Sequence, residues 1–147
     1  MDSLVMDTPV GRIRLLAEGE RLAAIERTSA KAGALGATSP VLRAARDQLR
    51  EYFDGQRTSF DLPLAPAATP FQQKVRRALM KIPFGKTATY AQIAKAVGTK
   101  SPRAVGQAVG ANPLLVIVPC HRIVASTGLG GFAWGLPAKK RLLGHEA

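Results

Sequence analysis

The sequence predicts a mixed α/β protein of the α+β class, with a small N-terminal α/β domain at residues 1–66 and a mostly helical C-terminal domain at residues 67–147 that contains a helix-turn-helix. Three observations predict this arrangement. Short apolar runs flank a turn near the N-terminus. Four later segments begin with a helix cap that precedes apolar residues at helical spacing. Finally, the linker-like residues 64–68 separate two regions that differ sharply in charge.

The N-terminal domain is predicted to contain a β-hairpin and one helix. Residues 12–16 and 22–25 have the short apolar runs of strands, and a glycine-containing turn joins them. The helix begins at Ser39, which offers an N-cap before a proline, and apolar residues recur at helical spacing until Gly55. Since nothing in residues 1–66 has the pattern of a catalytic site, we interpret this domain as structural.

Charge is distributed unequally between the two domains. The chain of 147 residues has a formal net charge of +11. Residues 1–66 contain nine Lys or Arg and nine Asp or Glu, whereas residues 67–147 contain twelve Lys or Arg and one acid, Glu146. Such an excess repels itself in a folded domain, and an anionic partner, chiefly nucleic acid, explains it. A merely solubilising surface is the alternative.

The sequence shows neither a membrane segment nor a signal peptide. No apolar run approaches the roughly 20 residues that span a bilayer. The first residues include acids where a signal peptide has cations, and no sustained apolar stretch precedes Pro9. These features predict a soluble protein of the cytoplasm.

Two consecutive helices of the C-terminal domain are predicted to form the helix-turn-helix. Thr89 and Gln92 have the spacing of a capping box for a helix at residues 90–97, and Ser101 caps a helix at residues 103–109 after a short turn. Such helix pairs also occur as plain packing units, so the motif alone is a weak indication of DNA binding.

The second helix of this pair carries small residues. Ala104 and Gly106 allow a DNA backbone to approach closely but offer no side chains that read base edges, so we expect binding without sequence preference. Arg103 is the one long side chain at the start of this helix. It could enter a groove or replace an extruded base, or it could contact a phosphate.

Cys120 is the only cysteine of the chain, so an internal disulfide, a CxxC pair and a cysteine-rich zinc site are excluded. A lone cysteine is most often an inert core residue. This one follows an apolar run at residues 114–118, predicted as a buried strand or extended segment, and it precedes His121 and Arg122. The sequence Pro119-Cys120-His121-Arg122 therefore makes Cys120 a candidate nucleophile.

A thiol with an ordinary pKa of about 8.5 is mostly protonated at neutral pH, so a nucleophilic Cys120 needs a base. His121 is the candidate base, and Arg122 with the surrounding cations is expected to favour the thiolate. Neighbouring residues of an extended backbone point to opposite sides, so this transfer requires a bent backbone or a bridging water.

A third group is needed to orient such a base and to stabilise its charged form. Glu146 is the only side-chain carboxylate after residue 66, and it follows a predicted terminal helix at residues 137–144. A lone acid at a chain end is usually solvated and idle, and this is the alternative for Glu146. His145, at the end of the same helix, is the rival imidazole.

The sequence Pro119-Cys120-His121-Arg122-Ile123-Val124, with Asn112-Pro113 upstream and Glu146 downstream, resembles the O6-alkylguanine-DNA alkyltransferases. The resemblance extends over residues 69–147 and includes residues 84–85, 89–94, 103–106 and 142–143. Residues 1–66 share only the general layout of the family's N-terminal α/β domain, in a shortened form without the cysteines of its zinc-binding variants.

The resemblance implies a DNA-repair protein that transfers an alkyl group, such as methyl, directly and irreversibly from O6-alkylguanine to Cys120, once per molecule and without a cofactor or metal. O4-alkylthymine is a further candidate substrate. The implied partner is double-stranded DNA with alkylated bases, bound in the minor groove with the damaged nucleotide flipped out. We expect a cytoplasmic monomer that makes no contact with membranes, and cooperative binding along DNA stays open.

The same resemblance implies roles for single residues. Tyr90 helps to rotate the nucleotide and is a candidate proton donor to the leaving guanine. Asn112 joins the recognition helix to the active-site segment, and Glu146, His121 and a water relay the proton from Cys120. The implied DNA contacts are Ser101, Arg103, Ala104, Gly106 and Arg122, with Arg103 filling the vacated base stack. The implied pocket residues are Pro119, Phe132, Ala133 and Trp134.

Phe132 and Trp134 bring bulk to the loop that the family uses for its substrate. This predicts a narrow pocket that reacts poorly with O6-benzylguanine. Outward packing of Trp134 is the alternative.

Three other functions fit parts of the sequence. An alkyltransferase-like lesion sensor would bind the flipped base without repairing it, but that group typically lacks the nucleophile. A helix-turn-helix transcription regulator would need base-reading side chains that the second helix lacks. A Cys-His-Glu hydrolase would leave the basic charge unexplained.

Overall fold

The computed structural model describes residues 2–31, 33–35 and 39–147. The polypeptide folds into two units, Met1–Pro66 and Ala67–Ala147, each with buried apolar residues of its own. The first combines a sheet with one helix and the second is mostly helical, so the prediction of a mixed α+β fold is confirmed. None of the described helices is both long and apolar enough to cross a bilayer.

The described part of the N-terminal unit is an antiparallel sheet packed against one helix. The elements are β1 (Ser3–Thr8), β2 (Gly11–Glu18), β3 (Arg21–Arg27), β4 (Gly33–Leu35) and α1 (Pro40–Phe53), and the strands lie in the order β3-β2-β1-β4. Buried residues alternate along β2, as expected for a sheet with one face in the core. Leu42, Leu49 and Tyr52 lie on the buried side of α1.

Two features of this unit differ from the sequence prediction. The hairpin is confirmed as β2 and β3, but β1 is an additional strand that pairs with β2. Residues 3–6 are buried at every position and so lack the alternation that identifies a half-buried strand. Ser39 occupies the N-cap of α1, but its side chain makes no cap hydrogen bond. Pro40 still favours the helix start because its φ is fixed near the helical value.

The C-terminal unit contains four α-helices and a short pair of parallel strands. These elements are α2 (Pro70–Met80), β5 (Ala88–Thr89), α3 (Tyr90–Val97), α4 (Pro102–Gly110), β6 (Ile123–Val124) and α5 (Leu136–Glu146). Helices α3 and α4 pack against each other and against α2. They are the two helices of the predicted helix-turn-helix.

Local hydrogen bonds fix the starts of α3 and α4 as the sequence predicts. The Thr89 Oγ1 accepts from the Gln92 N–H at 3.1 Å, and the Gln92 Oε1 accepts from the Thr89 N–H at 2.8 Å, which completes the capping box. Helix α3 ends at Gly98, whose φ of 81° suits a residue without a side chain. The Ser101 Oγ accepts from the Ala104 N–H at 3.1 Å and caps α4.

The apolar run at residues 114–118 is buried as predicted, but it is a turn and not a strand. The Val118 N–H donates to the Leu114 carbonyl at 2.9 Å. Val116 has a φ of 75°, a left-handed value that is uncommon outside glycine. A continuous apolar run indicates burial but cannot distinguish a buried strand from another buried conformation.

Candidate active site

Cys120 begins a short 3₁₀ turn, Cys120–Arg122, directly after the buried run. Its N–H donates to the Val118 carbonyl at 2.7 Å, and the Arg122 N–H donates to the Pro119 carbonyl at 3.0 Å. The cysteine is a free thiol and only 3% exposed. The 3₁₀ turn supplies the bent backbone that proton transfer between neighbouring side chains requires.

Asn112 connects the end of α4 to the cysteine segment. Its Nδ2 donates to the Val118 carbonyl at 3.3 Å, and its Oδ1 accepts from the Leu114 N–H at 3.0 Å. One amide therefore holds both ends of the turn at residues 114–118. This is the connecting position expected for Asn112.

Glu146 is bound by two side chains of the 3₁₀ turn. His121 Nε2 lies 2.7 Å from Glu146 Oε2. Arg122 Nε donates to Oε1 at 2.8 Å, and Arg122 Nη2 donates to Oε2 at 3.0 Å. His121 is 0% exposed and Glu146 is 4% exposed. The structure thus brings the candidate base and the candidate carboxylate together, and the alternative of an idle, solvated Glu146 does not apply.

Arg122 does not lie in the DNA-contacting position predicted for it. It is buried, and its Nη1 donates to the Ile82 carbonyl at 2.7 Å while the other two guanidinium nitrogens bind Glu146. A phosphate contact requires an accessible cation. That prediction is therefore wrong, because the charge of Arg122 is used inside the protein to hold a buried carboxylate.

The protonation of the site is set mainly by burial. Burial raises the pKa of the Cys120 thiol to about 11, although a hydrogen bond from Asn112 and the charge of Lys139 oppose this shift. Burial lowers the pKa of His121, and Glu146 opposes that shift. The resting site therefore holds a neutral thiol and a neutral imidazole, not the thiolate expected from the nearby cations.

His121 keeps one ring nitrogen for a further partner. A carboxylate accepts hydrogen bonds, so the contact with Glu146 places the imidazole proton on Nε2. The Nδ1 atom is buried and makes no hydrogen bond with any residue that the structure describes. Neutral His121 therefore presents a lone pair at Nδ1 that can accept a proton.

Lys139 is a site residue that the sequence reasoning missed. Its ammonium is 0% exposed and donates to the carbonyls of Ile123 at 2.7 Å and Gly131 at 3.0 Å, and to that of Leu129. Burial lowers the pKa of Lys139, whereas the charge of a Cys120 thiolate raises it. The signal was available in the sequence, since Lys139 lies one helical turn before the buried Leu142, on the apolar side of α5.

A cavity of about 240 Å³ opens onto Cys120. It is lined by Tyr90, Gly106, Val109, Gly110, Leu115, Cys120, Gly131, Phe132 and Ala133. Pockets for drug-sized ligands span roughly 300–1,000 Å³, so this volume suits a single flat ring system with a small substituent. Burial raises the pKa of the Tyr90 hydroxyl, which therefore stays protonated at neutral pH.

Two glycines allow the walls of this cavity to meet Tyr90. A Cβ on Gly130 would lie 3.0 Å from the Tyr90 ring, and Gly130 has a φ of +71°. A Cβ on Gly106 would lie 3.9 Å from the same ring. Gly106, predicted as a DNA contact, thus also borders the cavity.

The predicted pocket residues divide into two groups. Phe132 and Ala133 line the cavity, whereas Pro119 and Trp134 are not among its lining residues in the described structure. The Trp134 ring packs edge-on against the Phe132 ring, with their centroids 6.2 Å apart. The expected bulk at the cavity therefore comes from Phe132.

The C-terminal unit presents a strongly basic surface. Its exposed cations are Lys74, Arg77, Lys81, Lys86, Lys95, Lys100, Arg103, Lys140 and Arg141. Arg103 stands on the first turn of α4, Ala104 is partly buried, and Ser101 serves as the helix cap. Among the described residues, no group of three or more His, Cys, Asp or Glu side chains could hold a metal ion.

Comparisons with known proteins identify the family of the chain. The sequence model of the 6-O-methylguanine DNA methyltransferase DNA-binding domain matches residues 70–147, and that of the family's ribonuclease-like domain matches residues 3–66. The chain belongs to this family.

Particular relatives match almost the whole chain. The methylated-DNA–protein-cysteine methyltransferase of Methanosarcina acetivorans is 42% identical over 97% of this chain and 96% of its own length. The Mycobacterium tuberculosis protein of the same name is 39% identical over 96% of this chain and 89% of its own length. The crystal structure of M. tuberculosis OGT in complex with DNA superposes with a TM-score of 0.86 at 35% identity, covering 98% of this chain and 92% of that one.

Proposed function

We propose that this protein repairs DNA by transferring the alkyl group of O6-alkylguanine, with methyl as the simplest case, directly to Cys120. One observation carries the proposal. A free cysteine lies at a cavity of base size, and its neighbour His121 is hydrogen-bonded to a buried carboxylate. Family membership and the relatives named methylated-DNA–protein-cysteine methyltransferase support the same reaction.

The proposed reaction is an in-line displacement at the alkyl carbon. The Cys120 sulfur attacks, so the carbon–sulfur bond forms as the bond from carbon to guanine O6 breaks. The thiol proton passes through a water to His121 Nδ1, and Glu146 stabilises the imidazolium. Tyr90 donates a proton to the leaving guanine, and its phenolate regains the proton held by His121 through solvent. The net result is a thioether and an unmodified guanine.

The high pKa of Cys120 suits this order of events. A buried thiol resists ionisation, so the thiolate forms only as its proton is taken and the alkyl carbon is in place. Lys139 lies where its charge favours that thiolate. Such an arrangement limits reaction with other electrophiles.

DNA binding is assigned to the exposed cations of the C-terminal unit. The target carbon lies inside the duplex stack, so the nucleotide must be flipped out to reach Cys120, at a cost of a few kcal/mol. The small residues of α4 permit close approach in the minor groove, and the exposed Arg103 is the candidate to fill the vacated stack. The M. tuberculosis relative crystallised with DNA supports this partner.

The protein is used once and acts in a reducing compartment. The carbon–sulfur bond of the product is not reversed by thiol exchange, and the chain has no second cysteine. An acceptor that must remain a free thiol fits the reducing cytoplasm. We propose that it acts there as a monomer, with the N-terminal unit in a structural role.

Intact-mass analysis after incubation with duplex DNA containing O6-methylguanine tests the proposal. We expect one added methyl group per molecule, located on Cys120, and no addition to Cys120→Ser. Binding of the lesion without a mass increase would identify a lesion sensor instead. Sustained turnover by substoichiometric protein would exclude the one-use mechanism.

A further inference from the structure

Glu146 lies in an unfavourable position for a fixed carboxylate. It is the last residue of α5, where the helix dipole disfavours negative charge and where helices commonly fray. Its side chain is nevertheless buried and held by His121 and Arg122. Its position therefore needs support from outside the helix.

The turn at residues 82–85 contacts Arg122, which binds this carboxylate, and His145, the neighbour of Glu146 on α5. The Ile82 carbonyl accepts from Arg122 Nη1 at 2.7 Å. The Phe84 ring lies under the Arg122 guanidinium, 5.8 Å from centroid to Cζ, and meets the His145 ring edge-on at 6.3 Å. The turn itself is closed by the Lys86 N–H, which donates to the Pro83 carbonyl at 3.0 Å.

Gly85 brings the backbone of this turn against the backbone of the last helical residue. A Cβ at Gly85 would stand 3.0 Å from the Glu146 carbonyl oxygen, and Gly85 has a φ of +81°. Backbone atoms cannot move aside as a flexible side chain can. A side chain at this position therefore requires the turn and the end of α5 to separate by a few tenths of an ångström, which would loosen the contact between Glu146 and His121.

We propose that the turn at residues 82–85 is a positioning element for the proton relay, in which Phe84 orients Arg122 and Gly85 admits the end of α5 so that Glu146 reaches His121. This inference rests on the proposed function and deepens it. In this proposal Phe84 and Gly85 act only by positioning Arg122 and Glu146, and neither residue contacts the substrate.

The imidazole of His121 reports the position of Glu146 directly. Glu146 raises the pKa of His121, whereas burial, Arg122 and Lys139 lower it. Withdrawal of Glu146 should therefore lower the His121 pKa further and make the imidazolium harder to form. The rate of alkyl transfer should fall, while DNA affinity, which depends on the exposed cations, should stay unchanged.

The test compares Gly85→Ala with Gly55→Ala in the full chain. Gly55 has nearly the same φ, +80°, but nothing lies within 4 Å of its missing Cβ, so it carries the same backbone strain without the clash. The measurements are the single-turnover rate of methyl transfer, the affinity for lesion DNA and the His121 pKa by NMR. With two histidines in the chain, the imidazole signals can be assigned. Phe84→Leu, which removes the aromatic face, serves as a second variant should Gly85→Ala fail to fold.

We expect Gly85→Ala to lower the transfer rate by up to about 10-fold, because a misplacement of ~1 Å costs up to about 100-fold and the shift required here is a few tenths of an ångström. Its His121 pKa should fall toward that of Glu146→Gln, and Gly55→Ala should match the unmutated protein. An unchanged rate and pKa in both Gly85→Ala and Phe84→Leu would overturn the inference, as would equal losses in Gly55→Ala. If the unmutated protein transfers no methyl group, the proposed function fails, and the His121 pKa still decides the role of the turn.

Discussion

Charged residues occupy different environments in the two units. In the N-terminal unit the ion pairs are partly exposed: Asp7 with Arg12, Arg14 with Glu26, Arg46 with Asp47, and Glu51 with Arg57. Such pairs contribute little to stability, because water screens them. In the C-terminal unit Arg122, Lys139 and Glu146 are buried, and removing each charge from water costs several kcal/mol before any pairing.

This difference in the burial of charges shows which part of the fold is adapted to a reaction. An apolar core would stabilise the C-terminal unit more simply than buried charges. These charges instead surround one thiol and one imidazole, whose pKa values they shift. The buried charges around Cys120 and His121, bonded to one another or to backbone carbonyls, therefore indicate the reactive site, whereas the exposed pairs of the N-terminal unit indicate an ordinary surface.

Glu146→Gln should produce the largest change among the charged residues. The amide keeps the shape of the side chain but leaves Arg122 buried without its counterion and His121 without a carboxylate. We expect the methyl-transfer rate to fall by about 10²-fold to 10⁴-fold, the usual contribution of a proton-transfer system. Stability should fall by about 3 kcal/mol or more, as for other broken buried pairs.

Single-turnover kinetics of Glu146→Gln measure the methyl-transfer rate, and urea unfolding measures the free energy of unfolding. Normal kinetics with reduced stability would make Glu146 a purely structural residue. That result would mean that the buried charges of the C-terminal unit do not differ in catalytic role from the exposed pairs of the N-terminal unit.

Lys139→Met should have the next largest effect. The side chains have similar length, but the variant leaves three carbonyls without their common donor and removes a positive charge near Cys120. We expect transfer to slow by about 10-fold to 100-fold through a misplaced loop and a less favoured thiolate. Lys140→Met is the matched control, since Lys140 is the exposed neighbour on the same helix. Equal methyl-transfer rates in the two variants would contradict a role for the buried ammonium of Lys139 in the reaction.

Much of the fold follows from local sequence signals. The capping box at Thr89 and the cap at Ser101 follow from short-range patterns, and α3 begins at the predicted Tyr90 whereas α4 begins at Pro102, one residue before its predicted start. Strand β1 and the turn around Val116 do not follow from such patterns, because residues 3–6 and 114–118 are buried at every position and a continuously buried run has no period to interpret. Their conformation is decided by tertiary contacts.

The candidate site also has some features that the sequence predicts and others that it does not. Glu146 is suggested by chemistry as the only side-chain carboxylate after residue 66, whereas its pairing with His121 and not with His145 is implied by the resemblance to the family. The burial of Lys139 is indicated by its place one helical turn before Leu142, but the sequence does not show which groups Lys139 and Arg122 bind. Their positions depend on carbonyls of distant segments, at Ile82 and Leu129.

The stability of the protein should fall at alkaline pH because of Cys120. The folded pKa of about 11 exceeds the ordinary value of about 8.5, so the folded state binds this proton more tightly than the unfolded state. The contribution of Cys120 to the free energy of unfolding is therefore fully present below about pH 8.5. It is lost as the pH rises toward 11, and the loss amounts to up to about 3 kcal/mol. Urea unfolding at pH 7.5 and 10.5 should show a smaller loss in Cys120→Ser. Equal losses would mean that the thiol is less buried than described.

The smallest effect is expected from Glu51→Gln, the surface counterpart of Glu146→Gln. The Glu51 carboxylate accepts from Arg57 Nε at 3.0 Å, and both side chains are partly exposed, at 45% and 29%. Since water replaces the lost contact, we expect stability to change by less than about 1 kcal/mol and methyl transfer to stay at the unmutated rate. A rate loss approaching that of Glu146→Gln would show that burial does not separate functional charges from surface charges in this protein. If Glu51→Gln transfers methyl at the unmutated rate while Glu146→Gln does not, only the buried charges of the C-terminal unit contribute to the reaction.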